Sequence, residues 1–265
     1  MSKLQLPDVT LVMIETRERT LARMAIEDCL DKVDFGDVAI VTDRPLEFAP
    51  LSVSHGVRPL FQLVEDWPDK LGWAQSAWFD VPAMLRTSHA LFIQWDSWVW
   101  DTSMWDPEFL NYDFIGAPWW YKDGKNVGNS GFSLISTRLK RFIYNHRDAF
   151  PCTSPAEDDL LCRTYRPSLE QRGFNWAPEK IAHRFAFECC RPNPTSRHFG
   201  FHAMFNWPEV LPLDRLCERV KIAMQSDYIT KPDGVIWRAF VNKHSQLIQK
   251  LLLEAGKELT GAHYG

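Results

Sequence analysis

The sequence predicts an α/β fold: a mostly parallel sheet flanked by helices, followed by a helical C-terminal tail. Three features predict it. Apolar, β-branched runs of strand length recur through the first half of the chain, stretches with helically spaced apolar residues lie between them, and Gly, Pro and Asp punctuate the joints.

Val9-Thr10-Leu11-Val12-Met13-Ile14 is the first such run, nearly without polar residues and so suited to a strand buried on both faces. From Thr20 to Val33, Leu21, Met24 and Ala25 stand beside Ile26, Leu30 and Val33 at helical spacing. Val38-Ala39-Ile40-Val41-Thr42 is a second buried strand, closed by the turn residues Asp43-Arg44-Pro45. Strand, helix and strand make a βαβ unit, whose strands should run parallel. A helix from Lys70 to Arg86 then leads into His89-Ala90-Leu91-Phe92-Ile93-Gln94-Trp95-Asp96. In the second half, Phe132 to Ile135 reads as a strand and Thr137 to His146 as a helix, while Pro155-Ala156-Glu157-Asp158-Asp159-Leu160 opens another helix with acids at its positive end. Beyond Phe199-Gly200-Phe201-His202 the chain becomes helical. Pro232 and Asp233 mark the start of an apolar stripe through Trp237, Phe240, Val241, His244, Leu247, Ile248, Leu251 and Leu252. No internal repeat, low-complexity tract or flexible linker interrupts the chain, so one domain with a helical tail is the simplest division.

Composition narrows the function classes. The 265 residues are enough for a substantial core, and a net charge of -4 gives none of the global basic footprint of a nucleic-acid binder. The start, Met-Ser-Lys-Leu-Gln-Leu-Pro-Asp, lacks the apolar core of a signal peptide, and no run is apolar for long enough to cross a membrane. Cysteines at 29, 152, 162, 189, 190 and 217 follow neither a zinc-binding nor a disulfide spacing and suit reduced thiols. A cytoplasmic protein is the expectation. Twelve tryptophans are many for this length; Trp119 and Trp120 follow Gly116-Ala117-Pro118 in a loop, where flat rings can meet sugars or bases rather than fill a core.

Two features carry chemistry. Asp96 ends a buried run at the sheet edge where open α/β folds bind ligands, and a charge there needs a partner such as a metal, a phosphate or a sugar hydroxyl. In isolation a strand-end cap is the more ordinary explanation. Downstream, Asn129 lies between Gly128 and Gly131, able to meet a ligand or to cap the turn locally.

The run Gln94-Trp95-Asp96, Trp105-Asp106-Pro107-Glu108-Phe109-Leu110, Tyr112-Asp113-Phe114-Ile115-Gly116-Ala117-Pro118-Trp119 and Val127-Gly128-Asn129-Ser130-Gly131-Phe132-Ser133-Leu134 resembles the core of a bacterial family of uncharacterised, glycosyltransferase-like proteins. That family in turn is similar to nucleotide-sugar transferases of the GT-A fold. The likeness extends to Val9–Ile14, Phe35-Gly36-Asp37-Val38, Thr42-Asp43, Glu157-Asp158 and Gly200-Phe201-His202. Ser130 stands where the pattern has glycine, and Ser97 where GT-A enzymes often have a second aspartate.

The resemblance implies a GT-A-like catalytic domain over residues 1–208 with a helical extension, 209–265, packed on it. It implies a metal-dependent hexosyl- or pentosyltransferase that moves a sugar from a nucleotide diphosphate donor, a UDP-sugar first, to a glycan or small hydroxyl acceptor. Manganese or magnesium would be held by Asp96 and His202 and by the diphosphate itself. Asp158 would be the general base of an inverting reaction, with Glu157 beside it; if configuration is retained, these acids could bind the acceptor instead. The donor would lie across the ends of the first two strands, on Thr16, Arg17 and Asp43, with Asn129 and Gly131 meeting the donor sugar or acceptor. Two alternatives stay open: a phage-type enzyme glycosylating hydroxymethylated bases in DNA, and a non-catalytic carbohydrate-binding protein.

Overall fold

The computed structural model describes residues 2–65, 70–191, 193, 195–231 and 234–254, with side chains described as far as residue 244. Pro232 and Asp233, expected to open the last helix, and the side chains of Leu247, Ile248, Leu251 and Leu252 lie outside the described residues. The chain divides into two compact units, Met1–His202 and Ala203–Gly265.

The first unit is built on a six-stranded sheet in the order β3-β2-β1-β4-β7-β6. Its strands are β1 (Leu4–Ile14), β2 (Val33–Thr42), β3 (Leu60–Leu63), β4 (His89–Ile93), β6 (Phe114–Gly116) and β7 (Phe132–Ser136). β1 to β4 are parallel, β7 pairs antiparallel with β4, and β6 antiparallel with β7, so only β7 runs against the rest. The apolar runs are central for a physical reason. Val9 and Leu11 to Ile14 in β1, Ala39 to Val41 in β2 and Ala90 to Ile93 in β4 are all buried, and each such large aliphatic side chain contributes roughly 1.5–3 kcal/mol on leaving water.

β1 and β2 begin earlier than their apolar runs suggest, because Leu4–Leu6 and Val33–Phe35 pair across the βα connection. Helix α1 (Arg19–Leu30) therefore stops before Val33, which already belongs to β2. The helix expected over 70–86 is two: α2 (Lys70–Phe79) and a single turn at Val81–Met84. Pro82 sits in the first turn of the second piece, where its missing N–H is tolerated, but it cannot continue α2. Helix α3 (Thr137–Asn145) starts on Ser136, whose hydroxyl accepts the Leu139 N–H.

A second, three-stranded sheet, β5-β9-β8, joins Trp98–Val99 (β5), Ala186–Phe187 (β8) and Gly200–Phe201 (β9). β8 continues directly from helix α4 (Glu179–Phe185). Strands of two residues carry no readable periodicity, so nothing in the sequence announces them.

The second unit is helical, with α5 (Leu213–Ala223) and α6 (Val235–Glu254). Phe240 of the expected stripe is fully buried, and the helix breaks at His244, whose ring donates to the Phe205 carbonyl at 2.7 Å. All six cysteines are free. No helix among the described residues is long and apolar enough to cross a membrane.

Candidate functional site

Strand register brings the predicted residues to one edge of the sheet. β1 ends beside β2 at Ile14 and Val41, and beside β4 at Met13 and Ile93; β7, running the other way, starts there with Phe132 opposite Ile93. The loops that follow β1, β2 and β4, and the loop that precedes β7, therefore share that edge. They carry Thr16 and Arg17, Asp43, Asp96, and Asn129 with Gly131. This is the carboxyl edge at which open α/β sheets take ligands.

Asp96 is not the last residue of its strand, as the sequence suggests. β4 ends at Ile93 and Gln94 to Ser97 form a tight turn, with the Ser97 N–H donating to the Gln94 carbonyl at 3.1 Å. Ser97 explains its own presence. Its hydroxyl accepts the Gln94 N–H at 2.8 Å and lies 2.5 Å from the Gly131 carbonyl, tying the Asp96 turn to the Asn129 turn. Pairing of Trp98 with Phe201 then carries His202 to the same place. His202 Nε2 lies 3.5 Å from Asp96 Oδ1 and 3.3 Å from Gln94 Oε1, and Nδ1 donates to Glu188 Oε1 at 2.8 Å. Burial works against a charged imidazole, yet Asp96 and Glu188 outweigh it and push the pKa of His202 up to about 10. Gly131 is required by packing: a Cβ there would fall 2.2 Å from His202 Nε2.

The acids of the second half complete the edge. The backbone of Ser130 donates to Asp158, which also receives the Asp159 N–H at 2.9 Å, while the Ser130 hydroxyl donates to buried Glu157. A glycine at 130 could not make that second bond. Burial raises the pKa of both acids, for Glu157 with repulsion from Asp158 added. Behind them, Lys140 of α3 is buried with its ammonium 4.9 Å from the centre of the Phe92 ring. Burial lowers its pKa to about 8 against the opposing pull of Glu157. Lys140, Ser130, Ser133, Glu157 and Asp158 line one small cavity of about 10 Å³.

At the β1 and β2 ends, Glu15 Oε1 accepts the N–H groups of Thr16, Arg17 and Glu18 at 2.9, 2.7 and 3.1 Å and so shapes the loop that leads into α1. Asp43 is gripped by Arg19, with Nε to Oδ1 at 2.8 Å. After burial, which opposes it, this pairing lowers the Asp43 pKa. Any nucleotide hydroxyl would have to use the remaining lone pairs. Asn129 does cap locally, its Oδ1 accepting the Gly131 N–H at 3.2 Å, so what it can offer a ligand is its amide NH₂.

Carboxylate and imidazole are donor types that a divalent cation accepts. Asp96 and Glu188 converge on the same imidazole, Asp158 interacts electrostatically with it, and Glu157 lies beyond. A histidine that donates one ring nitrogen to a carboxylate while the other faces a second carboxylate has the arrangement of a metal-ligating imidazole. No group of three or more His, Cys, Asp or Glu side chains among the described residues could hold an ion by itself. Sequence reasoning missed Glu188, Lys140 and Arg19. Lys140 had a signal, a lysine sharing a helix face with Thr137, Leu139 and Ile143; Glu188 had none.

The fold and site define an α/β protein with an acidic, histidine-bearing site at the carboxyl edge of its sheet. The family described as "Protein of unknown function (DUF5672)" matches residues 76–202, a span that contains Asp96, Asn129, Asp158, Glu188 and His202 and leaves out Thr16, Arg17 and Asp43. No curated protein matches the sequence. Among solved structures, the chain is similar to a glycosyltransferase involved in the glycosylation of the major capsid of PBCV-1, with 12% identity, a TM-score of 0.46, and coverage of 74% of this chain and 92% of that one.

Proposed function

We infer that this protein is a metal-dependent glycosyltransferase that moves a sugar from a nucleotide diphosphate donor to a hydroxyl of a glycan or small molecule. The observation that carries the reading is the placing of Asp96 and Glu188 on either side of His202, with Asp158 close by, at the carboxyl edge of the sheet. Transfer from such a donor leaves charge on the diphosphate, and a site with acids and one imidazole needs a cation to receive it. Manganese or magnesium, held by Asp96 and by His202 once its Nε2 proton is released, would supply that neutralisation when bound.

The chain's own residues supply the rest. Glu188 holds the His202 ring in orientation through Nδ1 and keeps Nε2 facing Asp96. Ser97 ties the Asp96 turn to the Gly131 carbonyl, in the turn that also holds Asn129. Asp158 takes the proton of the acceptor hydroxyl. Its burial raises its pKa above that of an ordinary aspartate and makes it the stronger base. The acceptor oxygen it deprotonates then attacks the anomeric carbon from the face opposite the diphosphate, whose bond to that carbon breaks, the geometry of inversion. Thr16, Arg17 and Asp43 with its Arg19 partner receive the nucleotide, with UDP as the first candidate.

Calorimetry with UDP tests this. Binding should depend on Mn or Mg, and Asp96→Ala should remove that dependence. Equal affinity of the wild type with metal and with a chelator would overturn the reading.

A further inference from the structure

Trp119 and Trp120 are adjacent and have opposite fates. Trp119 is 8% exposed and Trp120 62%. A single exposed ring is ordinary on a protein surface, and what sets this one apart is its support. This loop is tied down at several points. Pro118 bridges to Val127 across its neck, and the Trp119 N–H donates to the Asn126 carbonyl at 2.6 Å. Arg163, in the turn that follows Asp158, holds it from outside: Nη1 donates to the Lys125 carbonyl at 3.1 Å, Nη2 to Asp123 at 2.8 Å, and the guanidinium lies 3.6 Å from the centre of the Tyr121 ring. Beneath, Trp119 packs so closely on Gly128 that a Cβ at 128 would meet the ring at 2.0 Å. Trp120 is therefore an exposed ring on a fixed support, tilted 37° to Tyr121 at 5.4 Å.

That ring lines an open groove of about 540 Å³. One wall is the loop, with Trp120, Lys122 and Asn126; the other is α4 with the segment that follows β8, including Glu179, His183 and Arg191. Both walls are close along the chain to residues of the site. Gly128 precedes Asn129, and Cys190, which also lines the groove, is two residues, at most about 7 Å of chain, from the His202 partner Glu188. The lining mixes an amide, a carboxylate and cations around an aromatic face. Sugar hydroxyls both donate and accept, and the CH face of a pyranose stacks on indole, so this mixture suits a glycan. A nucleic-acid backbone would call for cations without Glu179.

We propose that this groove seats the glycan acceptor, with one pyranose ring stacked on Trp120 and the chain leading toward Asp158. The proposal names the acceptor of the glycosyltransferase reading and rests on it. The test is saturation-transfer NMR on the full chain with Mg and UDP, using cellohexaose, maltohexaose, chitohexaose and hexagalacturonate as probes, and a thymidine dodecamer as the nucleic-acid arm. At least one hexasaccharide should bind to the wild type. Trp120→Ala should weaken it about tenfold, in line with the worth of an aromatic stacking contact, and Trp120→Phe should restore most of the affinity. Binding of no hexasaccharide, equal binding to Trp120→Ala, or binding of the dodecamer alone would overturn the proposal. UDP calorimetry on the same samples separates the two ideas: if UDP fails to bind while Trp120-dependent hexasaccharide binding persists, the transferase reading falls and the groove's glycan specificity stands.

Discussion

Replacing Lys140 by methionine should make the protein more stable at neutral pH, and the gain should vanish in alkali. The gap between lysine's ordinary 10.5 and the value of about 8 imposed by burial corresponds to about 3 kcal/mol at 1.36 kcal/mol per pH unit. The sign follows from proton counting. Between pH 8 and 10.5 the unfolded chain holds the proton that the folded chain has lost, so wild-type stability rises across that window. Below about pH 8 the whole penalty is present. Methionine has nearly the same volume, removes the ammonium and exchanges its contact with Phe92 for a sulfur–aromatic contact of similar worth, about 1 kcal/mol. Glu157 loses its cation, but burial already favours its protonated form, so it is neutralised rather than left as an unpaired charge. Lys140→Met should therefore raise stability at pH 7 by about 2–3 kcal/mol, a rise in Tm on the order of 5–10 °C for a unit of this size. Urea denaturation of both proteins at pH 7 and pH 10.5 measures it. A less stable variant at pH 7, or the same difference at both pH values, would refute the argument.

Gly131→Ala should push the His202 ring off Asp96 and abolish metal-dependent UDP binding, with the circular dichroism of the folded chain retained; calorimetry and spectra together check it. Asp158→Asn should leave UDP and metal binding intact while lowering turnover by a factor on the order of 10² to 10⁴, and a loss of affinity with turnover unchanged would make Asp158 a binding residue instead.

The sheet was legible where its residues are strongly patterned. Val9 to Ile14, Val38 to Thr42 and His89 to Ile93 announce buried strands by their apolar runs, and their common edge follows once they are parallel. Boundaries were less so: pairing across the chain, not local pattern, extends β1 back to Leu4, and Pro82 breaks a helix whose apolar residues continue past it. Asp96 and Asn129 were visible as a carboxylate and an amide in special backbone settings. Glu188 was not, because only the pairing of β8 with β9, two residues each, brings it to His202, and contacts of that kind leave no period in a sequence. Ser130 stood out as a departure from the family pattern, and the buried carboxylate it serves gives the departure its physical reason.

The joining of β5 to β9 also sets an order of events during synthesis. Asp96 leaves the ribosome with β1 to β4 already behind it, whereas His202 follows after about a hundred more residues, roughly 5–20 s at the usual pace of translation. Over that interval the growing chain can build the first four strands of its sheet but lacks the imidazole that sits between Asp96 and Glu188. A chain that stalls before Phe201 thus has the sheet edge without the imidazole, and the first unit is complete only when His202 has emerged.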